Sequence, residues 1–240
     1  MSDIPVSSSK IQDPRLQNVL ELAEVPAKLP MSYRHWQPPN TTRLAIFLHG
    51  YADHGGSFLR RLFPKGWPTE LENVALLAPN GLFPVPVKTE EGWREAYSWY
   101  FFDEAKMRML ISPDFAVTGI QTLLKQHGLE DTEKTIIGFS QGGFLAPYLA
   151  KSLQHVSEII AVGSGFRPDF YEALPAKQIR LTAIHGDQDE VFQVGAAEKA
   201  HRRILDLGFQ GEFLTIPGVR HIATPEIGQA IYQRLQADSK

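Results

Sequence analysis

The chain of 240 residues has no cysteine, no long apolar run and no large excess of charge of either sign. Without cysteine it can form no disulfide, no thiolate metal site and no cysteine nucleophile, so any nucleophile must be an oxygen or an amine. No segment approaches the roughly 20 apolar residues that cross a bilayer, and residues 1–10 lack the apolar centre of a signal peptide. We therefore predict a cytoplasmic protein with no integral membrane association.

The charged residues are nearly balanced, with 24 lysines and arginines against 27 aspartates and glutamates. Proteins that bind nucleic acids carry a basic patch or stripe, and this sequence shows neither, so we expect no nucleic-acid partner. A length of 240 residues, 43% of them hydrophobic, suits one domain with an ordinary core. We predict a flexible tail at 1–13 and a single domain at 14–240, and a homodimer is compatible with the sequence.

Seven apolar runs rich in β-forming residues occur along the chain, with helical patterns between them. The later runs are continuously apolar, which is typical of strands that are covered on both faces. The predicted strands are Met31–Gln37, Arg43–Leu48, Val74–Ala78, Lys134–Phe139, Glu158–Val162, Ile179–His185 and Gly211–Ile216, and the predicted helices are Gly55–Leu62, Ser112–His127, Gln141–Leu153, Val194–Leu207 and Pro225–Gln236. This order predicts an α/β fold with a mostly parallel central sheet and helices on both faces.

Residues 138–142 read Gly-Phe-Ser-Gln-Gly and directly follow an apolar run. This G-x-S-x-G pattern predicts a sharp strand-to-helix turn that exposes the Ser140 hydroxyl above the sheet as a nucleophile. A helix beginning near Gln141 would direct its free N–H groups and its positive dipole end at an oxyanion beside Ser140. Short Gly/Ser patterns also form ordinary turns, and the motif alone does not distinguish the two.

A serine nucleophile needs a general base and a carboxylate that orients the base. His221 follows the last predicted strand and precedes the final helix, which makes it the candidate base. Residues 185–189 read His-Gly-Asp-Gln-Asp after another strand and offer two carboxylates, Asp189 and Asp187. Either aspartate could instead be a turn residue that bonds the local backbone, and the early position of Asp187 suits that role.

Residues 49–53 read His-Gly-Tyr-Ala-Asp at the end of the strand Arg43–Leu48. Gly50 has no side chain to block a close approach, so the Tyr51 N–H can be directed at the same point as the Gln141 N–H. These two N–H groups are the candidate oxyanion hole. The alternative is a plain turn with a permissive glycine.

The segment Pro79–Asp103 is long for a connection and is rich in aromatic residues. Long structured loops in compact domains are usually functional, and this one leaves the carboxyl edge of the sheet, where open α/β sheets bind ligands. We predict that Phe83, Trp99 and Phe102 bind substrate. Trp99 or Phe102 taken alone could instead fill the flank of the core.

Together, the motifs at 138–143, 49–53 and 185–189 resemble those of the phospholipase/carboxylesterase family of α/β-hydrolases, which contains acyl-protein thioesterases and small carboxylesterases. The resemblance implies the α/β-hydrolase fold, with Ser140 as the nucleophile, Asp189 as the acid and His221 as the base. Tyr51 and Gln141 occupy its oxyanion-hole positions. Tyr51 replaces the more usual leucine and the stretch after residue 80 is longer, so protein depalmitoylation does not carry over.

The predicted reaction is hydrolysis of a small-molecule carboxylic ester with a short to medium acyl chain, through an acyl-enzyme and without a metal or organic cofactor. An acyl-protein thioesterase or lysophospholipase would use the same residues. A non-catalytic binding protein on this fold typically loses a triad member, whereas all three candidates are present. Because only the backbone of Gln141 has a predicted role, the sequence predicts little effect of Gln141→Ala.

Overall fold

The computed structural model describes residues 29–103, 105–106 and 108–237. From Met31 onward the chain forms one compact unit. The predicted tail at 1–13 and the predicted start of the domain at residue 14 lie outside the described residues, so both stay predictions. In the described ranges, every helix is too short or too polar to cross a bilayer.

Seven strands of the described residues form the central sheet, and six shorter ones lie between its third strand and the second helix. The strands are β1 (Tyr33–Trp36), β2 (Arg43–Leu48), β3 (Val74–Pro79), β4 (Phe83–Pro84), β5 (Val87–Thr89), β6 (Gly92–Arg94), β7 (Tyr97–Ser98), β8 (Phe101–Asp103), β9 (Arg108–Ile111), β10 (Glu133–Phe139), β11 (Val156–Val162), β12 (Arg180–Gly186) and β13 (Gln210–Ile216). The order across the central sheet is β1-β3-β2-β10-β11-β12-β13, and only β1 is antiparallel to its neighbour. All seven predicted strands are present, and the mostly parallel sheet is confirmed.

The helices of the described residues are α1 (Gly55–Leu62), α2 (Asp114–His127), α3 (Gln141–Ala150), α4 (Pro168–Tyr171), α5 (Val194–Leu205) and α6 (Pro225–Ala237). The helix predicted from Ser112 begins at Asp114, and Gly128 ends it in the left-handed conformation at φ 65°, as its position predicts. The helix α4 was not predicted, because a single turn of four residues shows no helical period.

Two apolar clusters cover the two faces of the sheet, which explains why its strands are continuously apolar. Along β2, Ile46 belongs to one cluster and Phe47 to the other. Residues of α2, α3 and α5 pack in the first cluster, and residues of α1 and α6 pack in the second. Helices therefore lie on both faces, as predicted.

The segment between β3 and α2, of which Pro79–Asp103 was predicted as a long loop, contains three antiparallel strand pairs: β4 with β7, β5 with β6, and β8 with β9. Strands of two to four residues are too short to show the alternation that identifies a strand in sequence. The segment starts at the carboxyl end of β3. The carboxyl ends of β2, β10 and β12 lie at the same edge because these strands are parallel.

Candidate active site

Ser140 lies between β10 and α3 with φ 50° and ψ −113°, a backbone conformation that non-glycine residues rarely adopt. The turn is tight because two glycines let backbone segments approach. A Cβ added at Gly138 would lie 2.2 Å from the Gly142 carbonyl oxygen, and one added at Gly142 would lie 2.2 Å from the Leu48 carbonyl oxygen. This geometry fits the strained nucleophile elbow that the motif predicts rather than an ordinary turn.

The three candidate triad side chains lie in one hydrogen-bonded series. His221 Nε2 is 3.1 Å from Ser140 Oγ, and His221 Nδ1 is 2.9 Å from Asp189 Oδ2. The Asp189 side chain is 1% exposed and the His221 side chain 15% exposed, so the imidazole lies between a buried carboxylate and the hydroxyl of the half-buried Ser140. His221 lies 81 positions after Ser140 and 32 positions after Asp189 in the chain. The three residues meet because each follows a strand that ends at the same sheet edge.

Asp189 is held as an anion by hydrogen bonds on both of its oxygens. Oδ1 accepts the N–H groups of Val191 and Phe192 at 2.9 and 2.8 Å, while Oδ2 faces His221. Burial alone would raise the pKa of Asp189, but the hydrogen bonds from His221 and Phe192 outweigh it and hold this pKa below its usual value. An ionised Asp189 keeps the proton of His221 on Nδ1, which leaves Nε2 free to accept the Ser140 proton.

Asp187, the other candidate acid, forms its hydrogen bond with the neighbouring loop, while His221 bonds Asp189. Its Oδ1 accepts the Gly218 N–H at 2.7 Å, which ties the turn after β12 to the turn that carries His221. Of the two carboxylates that the sequence left open, the structure brings Asp189 to the imidazole.

The two candidate oxyanion-hole residues flank Ser140. Gln141 is the first residue of α3, so its N–H has no partner within the helix. Tyr51 follows β2 and lines the same cavity as Ser140. A Cβ at Gly50 would be 2.9 Å from the Phe139 ring and 3.5 Å from Ser140 Cβ, so a side chain here would push the Tyr51 turn away from the nucleophile.

The side chain of Gln141, which the sequence left without a role, holds the aromatic segment against α3. Its Oε1 accepts the Trp99 N–H at 3.1 Å, and its Nε2 donates to the Tyr100 carbonyl at 2.9 Å. The Ser98 hydroxyl also lies within hydrogen-bond distance of this amide. No local sequence pattern signals these contacts, because they join residues more than 40 positions apart.

We expect Gln141→Ala to raise KM for an aryl butyrate about fivefold and to change kcat by less than about threefold, contrary to the prediction from sequence. The substitution removes hydrogen bonds that contribute about 1 kcal/mol each, while the backbone N–H at residue 141 stays in place. Steady-state kinetics measure both constants, with Gln121→Ala on the exposed side of α2 as a matched control. Unchanged KM and kcat would show that the amide does not position the segment.

A large cavity of about 780 Å³ is lined by Gln141, the residue after Ser140, and by Phe144, and seven of its lining residues are aromatic. The aromatic residues that line it are Tyr100, Phe101, Phe102, Phe144, Phe166, Phe170 and Phe192. Sequence reasoning found part of this wall through the aromatic segment. It missed the phenylalanines of the later elements, which come together only in the folded chain.

Of the three predicted substrate-binding residues, only Phe102 lines this cavity. The prediction that Trp99 binds substrate is wrong. Trp99 is fully buried in the core, and its Nε1–H donates to the His49 carbonyl at 2.7 Å. Its large ring fills the space beside His49, 4.5 Å away, so no face is left for substrate. Phe83 packs edge-on against Phe101 and Phe115 and is not among the residues that line the cavity, so its contact with substrate stays a prediction.

The buried His49 supports the Tyr51 turn as a neutral ring. Burial lowers the pKa of His49 to about 4, because a charged imidazole would lose its hydration. With Nδ1–H donating to the Gly50 carbonyl at 2.7 Å, Nε2 can accept the Gly81 N–H at 2.9 Å. His49 thereby joins the turn after β2 to the start of the aromatic segment.

A second cavity, of about 570 Å³, contains Ser140 and His221 in its wall and shares no lining residue with the large cavity. Its polar residues include Asp53, Arg61 and Arg94. Within the described ranges, no three histidine, aspartate or glutamate side chains are grouped closely enough to hold a metal ion.

Comparisons with known proteins agree with this architecture. A family model described as Phospholipase/Carboxylesterase matches residues 37–238. Acyl-protein thioesterase 1 homolog 2 of Dictyostelium discoideum is 27% identical over 205 residues, which cover 75% of this chain and 85% of that protein.

Two solved structures show the same fold. The crystal structure of esterase PE8 has a TM-score of 0.69 at 24% identity, and that of Zea mays acyl-protein thioesterase 2 has a TM-score of 0.61 at 17% identity. Each comparison covers 86% of this chain and 98% of the other. The predicted α/β-hydrolase fold is thus confirmed, and because the family model spans most of its length, the chain belongs to the phospholipase/carboxylesterase family.

Proposed function

We propose that this protein is a serine carboxylesterase that hydrolyses small esters with short to medium acyl chains. The observation that carries the proposal is the series from Ser140 Oγ through the His221 ring to Asp189, with steps of 3.1 and 2.9 Å. Hydrogen-bond distances of this kind between a nucleophile, a base and an orienting carboxylate allow a proton to leave the serine as it attacks a carbonyl.

The reaction has two steps. Ser140 Oγ attacks the ester carbonyl while His221 Nε2 takes its proton, and the N–H groups of Tyr51 and Gln141 stabilise the oxyanion. The tetrahedral intermediate collapses when His221 returns the proton to the leaving oxygen, which gives an alcohol and an acyl-serine. Water then attacks the acyl-serine with His221 as the base again, and the carboxylic acid is released. Asp189 stabilises the imidazolium in both steps.

The acyl chain occupies the large cavity in this proposal. Gln141 and Phe144, close in sequence to Ser140, line this cavity. Its seven aromatic side chains offer an apolar surface to the chain, although Arg167 and Glu190 line it as well. The volume of about 780 Å³ lies within the usual range for small-molecule sites. The leaving group then extends into the second cavity, because His221 must reach the leaving oxygen and lines that cavity.

A thioesterase is the second candidate, because the Dictyostelium relative at 27% identity is named as one. The same proton transfers serve a sulfur leaving group, so the triad does not distinguish the two reactions. A non-catalytic binding protein would gain nothing from the hydrogen-bonded series, and this argues against it. The cytoplasmic location and the homodimer remain predictions.

The test is a chain-length profile with 4-nitrophenyl esters from acetate to palmitate and with thioesters of matched acyl groups. We expect kcat/KM to be highest between the butyrate and octanoate esters, because the aromatic cavity limits chain length, and to exceed that of the matched thioesters. Protein with Ser140→Ala provides the blank. Strong selectivity for palmitoyl substrates would contradict the short-chain proposal, and faster turnover of thioesters would favour the second candidate.

A further inference from the structure

The second cavity joins the candidate catalytic residues to charged side chains. Ser140 and His221 line it, and so do Arg61 of α1 and Arg94 of β6. A group that leaves the tetrahedral intermediate must lie near His221, which donates the proton to it. The charges of this cavity therefore act on the leaving group rather than on the acyl chain.

Arg61 is largely neutralised by a neighbouring carboxylate. It forms an ion pair with Asp53, which is 8% exposed, and its Nη1 donates to Ser57 Oγ at 2.8 Å. Burial would raise the pKa of Asp53, but the hydrogen bond and charge of Arg61 outweigh it, so the carboxylate is ionised at neutral pH. The pair adds no net charge to the cavity, although no hydrogen-bond partner for the buried Arg61 Nε occurs in the part of the chain that the structure describes.

Among the residues of the cavity wall, Arg94 carries a charge that no other wall residue pairs with. It is exposed, and its Nη2 donates to the Ala52 carbonyl at 3.1 Å, next to Tyr51. Among the described residues, no carboxylate forms an ion pair with Arg94. A guanidinium carries five N–H groups and stays charged at all ordinary pH values, so most of its donors remain available. With Asp53 and Arg61 cancelling, the wall carries one net positive charge beside the reaction centre.

We propose that the second cavity is the leaving-group subsite and that Arg94 selects esters whose alcohol part carries a carboxylate or a phosphate. Planar forked donors match both anions, and each contact would be a charge-assisted hydrogen bond. The volume of about 570 Å³ suits a small alcohol. This inference rests on the proposed function, because the cavity holds a leaving group only if Ser140 attacks the ester carbonyl.

A purely structural role for Arg94 makes a different prediction. Ala52 has φ 55°, in the left-handed region, and its carbonyl accepts the Arg94 hydrogen bond. If Arg94 only held this turn, its loss would move the Tyr51 N–H and slow the hydrolysis of every ester by a similar factor. Comparing charged with neutral leaving groups on one acyl chain separates the two roles.

The experiment compares 4-nitrophenyl butyrate with 3-carboxy-4-nitrophenyl butyrate, two chromogenic esters that differ in one carboxylate. We expect Arg94→Ala to lower kcat/KM for the carboxylated ester about five- to tenfold, the effect of a partly solvated charge-assisted bond, and for the neutral ester by less than about twofold. Lys88→Ala removes a charge from the same strand pair, outside the cavity wall, and should change neither ester. The butyryl ester of glycerol 3-phosphate tests whether the subsite accepts a phosphate, and its hydrolysis is measured as the release of butyric acid.

A selective loss on the carboxylated ester, the phosphate ester or both would support the subsite and identify the anion that it takes. Equal losses on charged and neutral esters, or no loss on any, would overturn it and leave the proposed function intact. If the unmodified protein hydrolysed none of these esters, the proposed function would fail and the subsite with it. Weakening of the charge preference as salt rises would give an independent check, because ions screen the contact.

Discussion

Ser140→Ala is expected to lower kcat for 4-nitrophenyl acetate or butyrate by on the order of 10⁴- to 10⁶-fold, the largest loss at any position of this chain. Alanine cannot form the acyl-enzyme, while the N–H groups of Tyr51 and Gln141 stay in place. The remaining rate then reflects substrate binding and direct attack by water. Steady-state assays of 4-nitrophenol release measure kcat for the unmodified protein and for the variant.

A covalent probe makes the same test without turnover. A fluorophosphonate should label the unmodified protein once, at residue 140, and should not label the alanine variant. Ser157→Ala, a matched change in β11 far from His221, should leave labelling and turnover unchanged. Thermal unfolding of both variants establishes that each is folded. Persistent labelling of a folded Ser140→Ala protein would show that the nucleophile is another residue.

Asp189→Asn is expected to lower kcat by on the order of 10⁴-fold, the second largest effect. The amide cannot stabilise an imidazolium, and its NH₂ group can donate to His221 Nδ1, which moves the ring proton to Nε2. A protonated Nε2 cannot accept the hydrogen of Ser140 Oγ. Activity should recover in part at high pH, where the hydroxyl ionises more readily without a base, so a pH profile of kcat checks this cause.

The matched control is Asp187→Asn, which we expect to lower kcat by less than about tenfold. Asp187 accepts one hydrogen bond from the Gly218 N–H, and an asparagine oxygen can accept the same bond. If Asp187→Asn were the damaging substitution and Asp189→Asn the mild one, the assignment of the acid would be overturned. Similar losses for both would mean that loop geometry rather than charge controls the rate.

The sheet and the positions of the three candidate triad residues could be predicted because both depend on local patterns. Continuous apolar runs such as that of β10 identify buried strands, and parallel strands bring their carboxyl ends to one edge. A polar motif after each of three strands therefore places Ser140, Asp189 and His221 at that edge before any distance is known.

The remaining features depend on contacts that the sequence does not encode locally. The short strand pairs lack a period, and the Gln141 side chain meets Tyr100 only after the segment between β3 and α2 folds back. An aromatic residue in that segment can turn to the core, as Trp99 does, or to the cavity, as Phe102 does. Both residues are aromatic and belong to the same segment, so the local sequence does not distinguish them. Long-range packing determines which one faces the core and which one faces the cavity.

The two cavities beside Ser140 have separate sets of wall residues, and this has a consequence for redesign. With the acyl chain in the large cavity and the leaving group in the second, as we propose, substitutions at Phe144 or Phe192 would alter which acids are accepted, whereas substitutions at Arg94 would alter which alcohols are released. Sites without shared contacts combine almost additively in free energy. Substitutions selected in one cavity wall can thus be combined with substitutions selected in the other. The selectivity of the combined variant is expected to follow from the selectivities of the two separate variants.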